Sequence, residues 1–161
     1  MRLPYQIEVH DHMSAFAVIY ETDGKYAVIS IREDPIDKCS VVYKPGKNVV
    51  AALNIYFNDI DAEQEGQKLF DELDALTIWN FVDSINEDKQ INTLIIHCWG
   101  GVSRSAAVAA AIEEYFNKNG NYYFNSDKYH PNMHVYKTML SVKNMWPDGS
   151  AFRNMPQTEN S

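Results

Sequence analysis

The run from His97 to Ser105 combines residue types that could perform nucleophilic chemistry on a bound anion. Cys98 precedes and Arg104 follows a five-residue loop that contains two adjacent glycines. A strand-like apolar run leads into the loop, and an alanine-rich, helix-forming run follows it. Such a loop binds phosphate-sized anions, because free backbone N–H groups and the positive end of the helix dipole point at the ligand. The same groups favour a thiolate, so we expect Cys98 to be a nucleophile.

The order His-Cys, five residues, Arg-Ser resembles the phosphate-binding loop of the cysteine-dependent protein tyrosine phosphatase superfamily. The short chain looks most like the dual-specificity or compact tyrosine phosphatase branch. The resemblance implies that Cys98 attacks phosphorus and that Arg104 grips two phosphate oxygens with its planar fork. It also implies that Ser105 donates a hydrogen bond to the cysteine sulfur, and that His97 orients the loop and helps to keep the thiol ionised. The residues between Cys98 and Arg104 are expected to bind the substrate: Trp99, Gly100, Gly101, Val102 and Ser103.

Two positions inside the loop carry more specific expectations. Gly101 matches a glycine of the family loop, where the absence of a side chain allows positive φ and a close approach to the anion. Trp99 has two interpretations: its ring forms one wall of the pocket, or it packs beneath the loop.

Other classes of protein also place a cysteine beside an oxyanion. Rhodaneses usually lack the His-Cys pair. Low-molecular-weight phosphatases and their related arsenate reductases carry the cysteine loop near the N-terminus, whereas Cys98 lies past the midpoint of the chain. An ordinary buried cysteine would leave the double glycine at a helix start without a reason. The phosphatase interpretation is therefore preferred.

The proton donor is predicted upstream of the loop. Cleavage of a phosphate ester needs an acid for the leaving oxygen, hydrolysis of the phosphocysteine needs a base, and one carboxyl group can serve both steps. The family places this aspartate after a strand, a few dozen residues before the cysteine. Asp59 directly follows an apolar run and is the first candidate, with Asp61 as the second. Trp146-Pro147-Asp148 spells the acid loop of larger tyrosine phosphatases but follows the cysteine, so we interpret it as a helix end and a turn.

The apolar patterns predict an α/β fold in a single domain over 1–161, with a central, mainly parallel sheet flanked by helices. The phosphate-binding loop joins a strand to a helix in this arrangement. Strands are predicted over 16–20, 26–31, 49–57 and 94–97, and helices over 65–88 (one or two), 105–117 and 131–146. Residues 148–161 are expected to be a polar, frayed tail.

Composition and net charge indicate the cellular compartment and exclude some classes of binding partner. The 161 residues are 45% hydrophobic and carry no apolar run of membrane-spanning length and no signal-peptide pattern. Two cysteines do not make a disulfide framework, so we expect a cytoplasmic protein. Cys39 is expected to be an ordinary thiol, with an oxidative disulfide to Cys98 as the alternative. The net charge of −8 argues against nucleic acids and anionic membranes as partners.

No metal or cofactor is expected, because the loop itself neutralises the phosphate. His10-Asp11-His12 is interpreted as a polar loop, and His130 and His134 as surface or rim residues. The loop interior lacks lysine, which argues against a phosphoinositide substrate and favours a phosphoprotein. Phosphotyrosine is the leading substrate, with phosphoserine and phosphothreonine as further candidates. The alternatives are a catalytically weak module that binds phosphoproteins and a sulfurtransferase, and the oligomeric state stays open.

Overall fold

The computed structural model describes residues 2–33 and 41–147. Within these ranges the chain forms four strands and five helices, in the order β1 (Gln6–His10), α1 (His12–Glu21), β2 (Tyr26–Arg32), β3 (Val49–Tyr56), α2 (Glu72–Asn86), β4 (Thr93–His97), α3 (Arg104–Asn117), α4 (Asn121–Asn125) and α5 (Met133–Met145). Cys39, Asp148 and the predicted tail over 148–161 lie outside the described residues.

The four strands form one sheet in the order β1-β4-β2-β3, and every neighbouring pair is parallel. Every residue of β2 and β4 is buried, as expected of central strands covered on both faces. In register, Ser30 of β2 lies opposite His97 of β4. The predicted α/β fold with a parallel sheet and flanking helices is confirmed.

Helices cover both faces of the sheet. On one face, Ala15 and Ile19 of α1 pack with Val28 and Ile95 from the central strands. On the other face, α2, α3 and α5 form the larger core together with alternate residues of the same strands, among them Ile29 and Ile96 in the sheet. Because successive strand residues point to opposite faces, each central strand supplies both cores. This three-layer arrangement fixes the position of β4 and of the loop that follows it.

The prediction of a strand over 16–20 is wrong, because these residues lie in α1. The Asp11 side chain accepts a hydrogen bond from the Ser14 backbone N–H at 2.8 Å and so caps the helix. Ala15 and Ile19 are fully buried while Phe16 and Tyr20 are 45% and 55% exposed. Two buried residues four positions apart are typical of a helix. The sequence predicts a strand here because the β-branched and aromatic residues of the run favour strands.

The other element predictions differ from the structure mainly at their ends. The helix predicted over 65–88 begins only at Glu72, where Asp71 and Asp74 form a capping box. The polar loop predicted at His10-Asp11-His12 is instead a direct junction between β1 and α1. Neither β1 nor the short α4 was predicted. Among the described residues, no helix has both the length and the apolar character needed to cross a bilayer.

Candidate active site

The candidate site lies at the carboxyl edge of the sheet, where parallel strands bring together residues that are distant in sequence. Cys98 follows β4, Arg32 ends β2, and Phe57 follows β3. The Phe57 backbone N–H donates to the Arg32 carbonyl at 2.9 Å, which continues the pairing of β2 and β3 at this edge. A cavity of about 340 Å³ opens here, and both Cys98 and Arg104 line it.

Cys98 is 3% exposed, and its sulfur receives two polar contacts, one from the loop and one from the first turn of α3. The Gly101 backbone N–H donates to Sγ at 3.3 Å, and Ser105 Oγ lies 3.1 Å from Sγ. Both groups can donate to a sulfur that carries negative charge. Because α3 begins at Arg104, its free N-terminal N–H groups lie next to the loop. This arrangement directs N–H donors and the positive end of the α3 dipole at the loop, where an anion can bind.

The two glycines of the loop differ in what the structure requires of them. Gly101 has φ 66°, in the left-handed region that favours glycine. A Cβ on Gly101 would lie 2.5 Å from the Asp11 backbone nitrogen and 2.6 Å from the His10 carbonyl carbon. A Cβ on Gly100 would meet nothing within 4 Å. Gly101 therefore lets the loop pack directly on the junction between β1 and α1.

Arg104 is 4% exposed and is held by groups from two neighbouring segments. Nη1 donates to the Phe57 carbonyl at 3.1 Å, and Nη2 pairs with Glu33 Oε1 at 3.1 Å. A guanidinium has five N–H donors, so these two contacts leave three for phosphate oxygens. Glu33 was not identified from the sequence, where a single acid after a strand gives no distinguishing signal.

Asp59 lies beside the phosphate-binding loop and contacts it directly. Its Oδ1 accepts hydrogen bonds from Ser103 Oγ at 2.8 Å and from Asn132 Nδ2 at 2.9 Å. None of the described residues donates to Asp59 Oδ2. Asp61, the second candidate acid, is exposed and makes no such contact with the described loop residues. The structure thus brings Asp59, rather than Asp61, to the loop.

Asn132 joins three parts of the site, and the sequence predictions did not include it. Its backbone N–H donates to the Ser103 carbonyl at 3.1 Å, and its Nδ2 donates to Asp59 and to the Ile60 carbonyl at 3.1 Å. Its Oδ1 accepts from the Val135 N–H and caps α5. Asparagine at the start of a predicted helix is a capping signal, but capping alone does not indicate a contact with a distant aspartate.

His97 is 5% exposed at the end of β4, and neither ring nitrogen has a well-formed hydrogen bond within the described chain. Burial lowers the pKa of His97 to about 4, and the nearby Arg32 charge acts in the same direction. The Cys98 backbone opposes this shift only in part. The imidazole is therefore neutral at pH 7, and any support that it gives to the thiolate comes from orientation or a neutral donor rather than from positive charge.

Trp99 lines the cavity, so of the two interpretations its ring forms a pocket wall rather than packing beneath the loop. Its ring is 61% exposed and stacks on His12, with centroids 3.8 Å apart and planes 11° apart. The Trp99 carbonyl accepts a hydrogen bond from the His12 backbone N–H at 3.3 Å. The other apolar and aromatic residues around the cavity come from α1, β2 and the segment before β3: Met13, Phe16, Ile31, Val41 and Tyr43.

The remaining loop residue and the other histidines have structural contacts. The Val102 carbonyl accepts from the His130 backbone N–H at 3.0 Å, which attaches the loop to the segment before α5. His134 Nε2 lies 2.7 Å from the Phe70 carbonyl. Within the described ranges, no three histidine, cysteine, aspartate or glutamate side chains are grouped to hold a metal ion.

Comparison with known proteins gives structural but no sequence matches. No protein-family model matches the chain, and no curated protein matches it. The human tyrosine phosphatase-like serine/threonine/tyrosine-interacting protein is 16% identical with a TM-score of 0.60, over 88% of this chain and 93% of that chain. The Cydia pomonella PTP-2 phosphatase is 20% identical with a TM-score of 0.55, over 84% of each chain. Human DUSP28 is 14% identical with a TM-score of 0.55, over 88% of this chain and 93% of that chain. The chain therefore has the fold of the compact, dual-specificity-type tyrosine phosphatases, as its loop predicts.

Proposed function

We propose that the protein is a metal-independent phosphatase that hydrolyses phosphotyrosine in proteins through a phosphocysteine intermediate at Cys98. Phosphoserine and phosphothreonine are further candidate substrates. One observation carries the proposal: a buried cysteine sulfur, an arginine with free donors and an aspartate all meet at one loop at a helix N-terminus. A nucleophilic thiolate needs a reducing compartment, so the cytoplasm is the proposed setting.

In the first step the Cys98 sulfur attacks phosphorus. The S–P bond forms, the P–O bond to the leaving group breaks, and Asp59 gives its proton to the leaving oxygen. Arg104 and the loop N–H groups hold the phosphoryl oxygens as charge shifts among them. Ser103 and Asn132 fix Asp59 Oδ1, so Oδ2 is the oxygen that carries the proton.

In the second step water attacks the phosphocysteine. Asp59, now a carboxylate, takes a proton from the water, the P–S bond breaks, and inorganic phosphate leaves. Ser105 Oγ, 3.1 Å from Sγ, donates to the departing thiolate. The aromatic and apolar cavity walls at Phe16, Tyr43 and Trp99 support an aryl phosphate as substrate, because a phenyl ring gains from contact with them.

Hydrolysis of para-nitrophenyl phosphate and of a phosphotyrosine peptide tests the proposal. We expect turnover that a chelator leaves unchanged, that vanadate inhibits, and that Cys98→Ser reduces below detection. A trapped phosphocysteine, detected by mass spectrometry after rapid acid quench, would support the covalent step. Full activity in Cys98→Ser would refute it.

A phosphoprotein-binding module is the second candidate function. One structurally similar protein is named as a tyrosine phosphatase-like, serine/threonine/tyrosine-interacting protein. Its name describes interaction rather than hydrolysis, so a binding role is the alternative to test. Tight phosphopeptide binding that depends on Arg104, together with negligible turnover by the unaltered protein, would favour binding over catalysis.

A further inference from the structure

Four buried side-chain polar atoms have no hydrogen-bond partner within the described chain, and they belong to three residues: Ser30 Oγ, Arg32 Nε and both ring nitrogens of His97. These side chains are 0%, 6% and 5% exposed respectively. Buried polar groups are almost always paired, because an unpaired one has lost its hydrogen bonds to water without a replacement. A cluster of three is therefore a feature that needs a reason.

The three residues lie together on one face of the sheet. Ser30 and His97 are opposite each other in the pairing of β2 with β4, and Arg32 follows two residues later on β2. Side chains two apart on a strand share a face, so all three lie on the side covered by α1. Arg32 and His97 line the same cavity as Cys98 and Arg104.

The cluster is rich in donors and carries the positive charge of Arg32. Arg32 Nε and the Ser30 hydroxyl each offer an N–H or O–H, and neutral His97 offers one more. Arg32 Nη2 is anchored to the Val41 carbonyl and to Asn54 Oδ1 at 3.4 Å, and no described carboxylate lies within 4 Å of its guanidinium. Glu33 is the one acid among the described cavity residues, and it pairs with Arg104.

We propose that Arg32 and His97, the two members of the cluster that line the cavity, form a subsite for a second anionic group of the substrate. The substrate is then a phosphate monoester that also bears a carboxylate or a second phosphate, bound with one anion in the Cys98 loop and the other at Arg32. A buried guanidinium binds such a group by charge-assisted hydrogen bonds, which are stronger than neutral ones. This inference rests on the proposed phosphatase function and narrows its substrate class.

Paired aryl phosphates test the subsite directly. The ortho, meta and para isomers of carboxyphenyl phosphate are compared with the matching carbamoylphenyl phosphates, which are of similar shape but uncharged at the second group. The meta and para phenylene bisphosphates distinguish a second phosphate from a carboxylate. We expect kcat/KM to favour the charged member by about tenfold for at least one geometry. The ratio within a pair is the readout, so changes common to both substrates cancel.

Arg32→Met should reduce this ratio to about one, and Arg32→Lys should keep part of it, since a charge-assisted bond remains. Lys89→Met removes a positive charge from the exposed turn before β4, at the opposite end of the sheet, and should leave the ratio unchanged. If Arg32→Met does not fold, the unaltered protein and Arg32→Lys decide the question. Ratios near one for every pair in the unaltered protein, or an undiminished ratio in folded Arg32→Met, would overturn the subsite.

Calorimetry of the same paired aryl phosphates binding to Cys98→Ser separates this inference from the proposed function. An Arg32-dependent preference for the charged ligands, with no turnover of any aryl phosphate by the unaltered protein, would support the subsite while the proposed catalysis fails. Turnover without any such preference would support catalysis and reject the subsite.

Discussion

The two oxygens of the Asp59 carboxylate have different surroundings. Oδ1 accepts from Ser103 inside the loop and from Asn132 at the start of α5, and none of the described residues donates to Oδ2. A general acid must be oriented and must also keep one oxygen free to hold and release a proton. Asp59 meets both conditions, and its two donors orient it from separate parts of the chain.

Asp59→Asn should lower kcat for a phosphotyrosine peptide by about 10²–10⁴-fold, the usual contribution of a general acid. The loss should be smaller for para-nitrophenyl phosphate, because its more acidic phenol leaves without full protonation. Steady-state kinetics with both substrates measure this difference. Asp61→Asn is the matched control, and a larger substrate-dependent loss in that variant would move the acid two residues along the chain.

The sequence predicted the contiguous part of the site but not the residues that complete it. The loop from His97 to Arg104 lies in one segment, so its residue types and spacing are visible together. Glu33 and Asn132 contact the loop, and Arg32 lines the same cavity, only through the strand order and the packing of α5. One sequence holds no record of which distant segments meet, so these contacts required the structure. The position of Asp59 beside the loop agrees with the family pattern, which places an acid after a strand.

At the scale of elements, the junction between β1 and α1 supports the loop that holds Cys98. The sequence predictions missed β1 and assigned part of α1 to a strand, because both runs are short and the cap at Asp11 decides the outcome. Fold class was still predictable, since β2, β3, β4 and α3 carry strong patterns and occupy the centre. Because the β1–α1 junction was not predicted, the sequence did not show that Gly101 packs against the backbone of His10 and Asp11.

Gly101→Ala should disrupt this contact, because it adds a Cβ 2.5 Å from a backbone nitrogen at a residue with φ 66°. The left-handed conformation alone costs a non-glycine residue about 1–2 kcal/mol, and the clash adds to that cost. Chemical denaturation should therefore show a loss of at least about 2 kcal/mol in the free energy of unfolding. Gly100→Ala is the control and should change it by less than about 0.5 kcal/mol, since a Cβ there meets nothing within 4 Å. Equal losses in the two variants would contradict this account of the loop.

At the scale of the whole molecule, the site combines buried groups with exposed groups at the rim of the cavity, where Asp59 and Trp99 lie. Cys98, Arg104, Arg32 and His97 are each at most 6% exposed. Groups placed this deeply pack against both cores of the sheet. The ionisation of His97 is coupled to global unfolding, because its low pKa in the folded state excludes a proton that the unfolded chain accepts below about pH 6.5.

The free energy of unfolding should fall as pH decreases from about 6.5 to about 4. Burial lowers the pKa of His97 from 6.5 to about 4, so in this window the unfolded chain binds a proton that the folded protein does not. Each pH unit then removes about 1.4 kcal/mol, or about 3 kcal/mol across the window. Backbone N–H groups lower the pKa of Asp11; burial opposes the shift at Asp71, but a backbone N–H and the Lys68 charge still hold its pKa below 3.8, so both lose their contribution only at lower pH. Burial raises the pKa of Asp74, which therefore acts in the opposite sense to His97 and equally in every variant compared. Denaturation curves at several pH values should give this slope for the unaltered protein and for His130→Asn, which removes an exposed imidazole, but a much shallower slope for His97→Asn. An unchanged slope in folded His97→Asn would show that other groups carry the acid sensitivity.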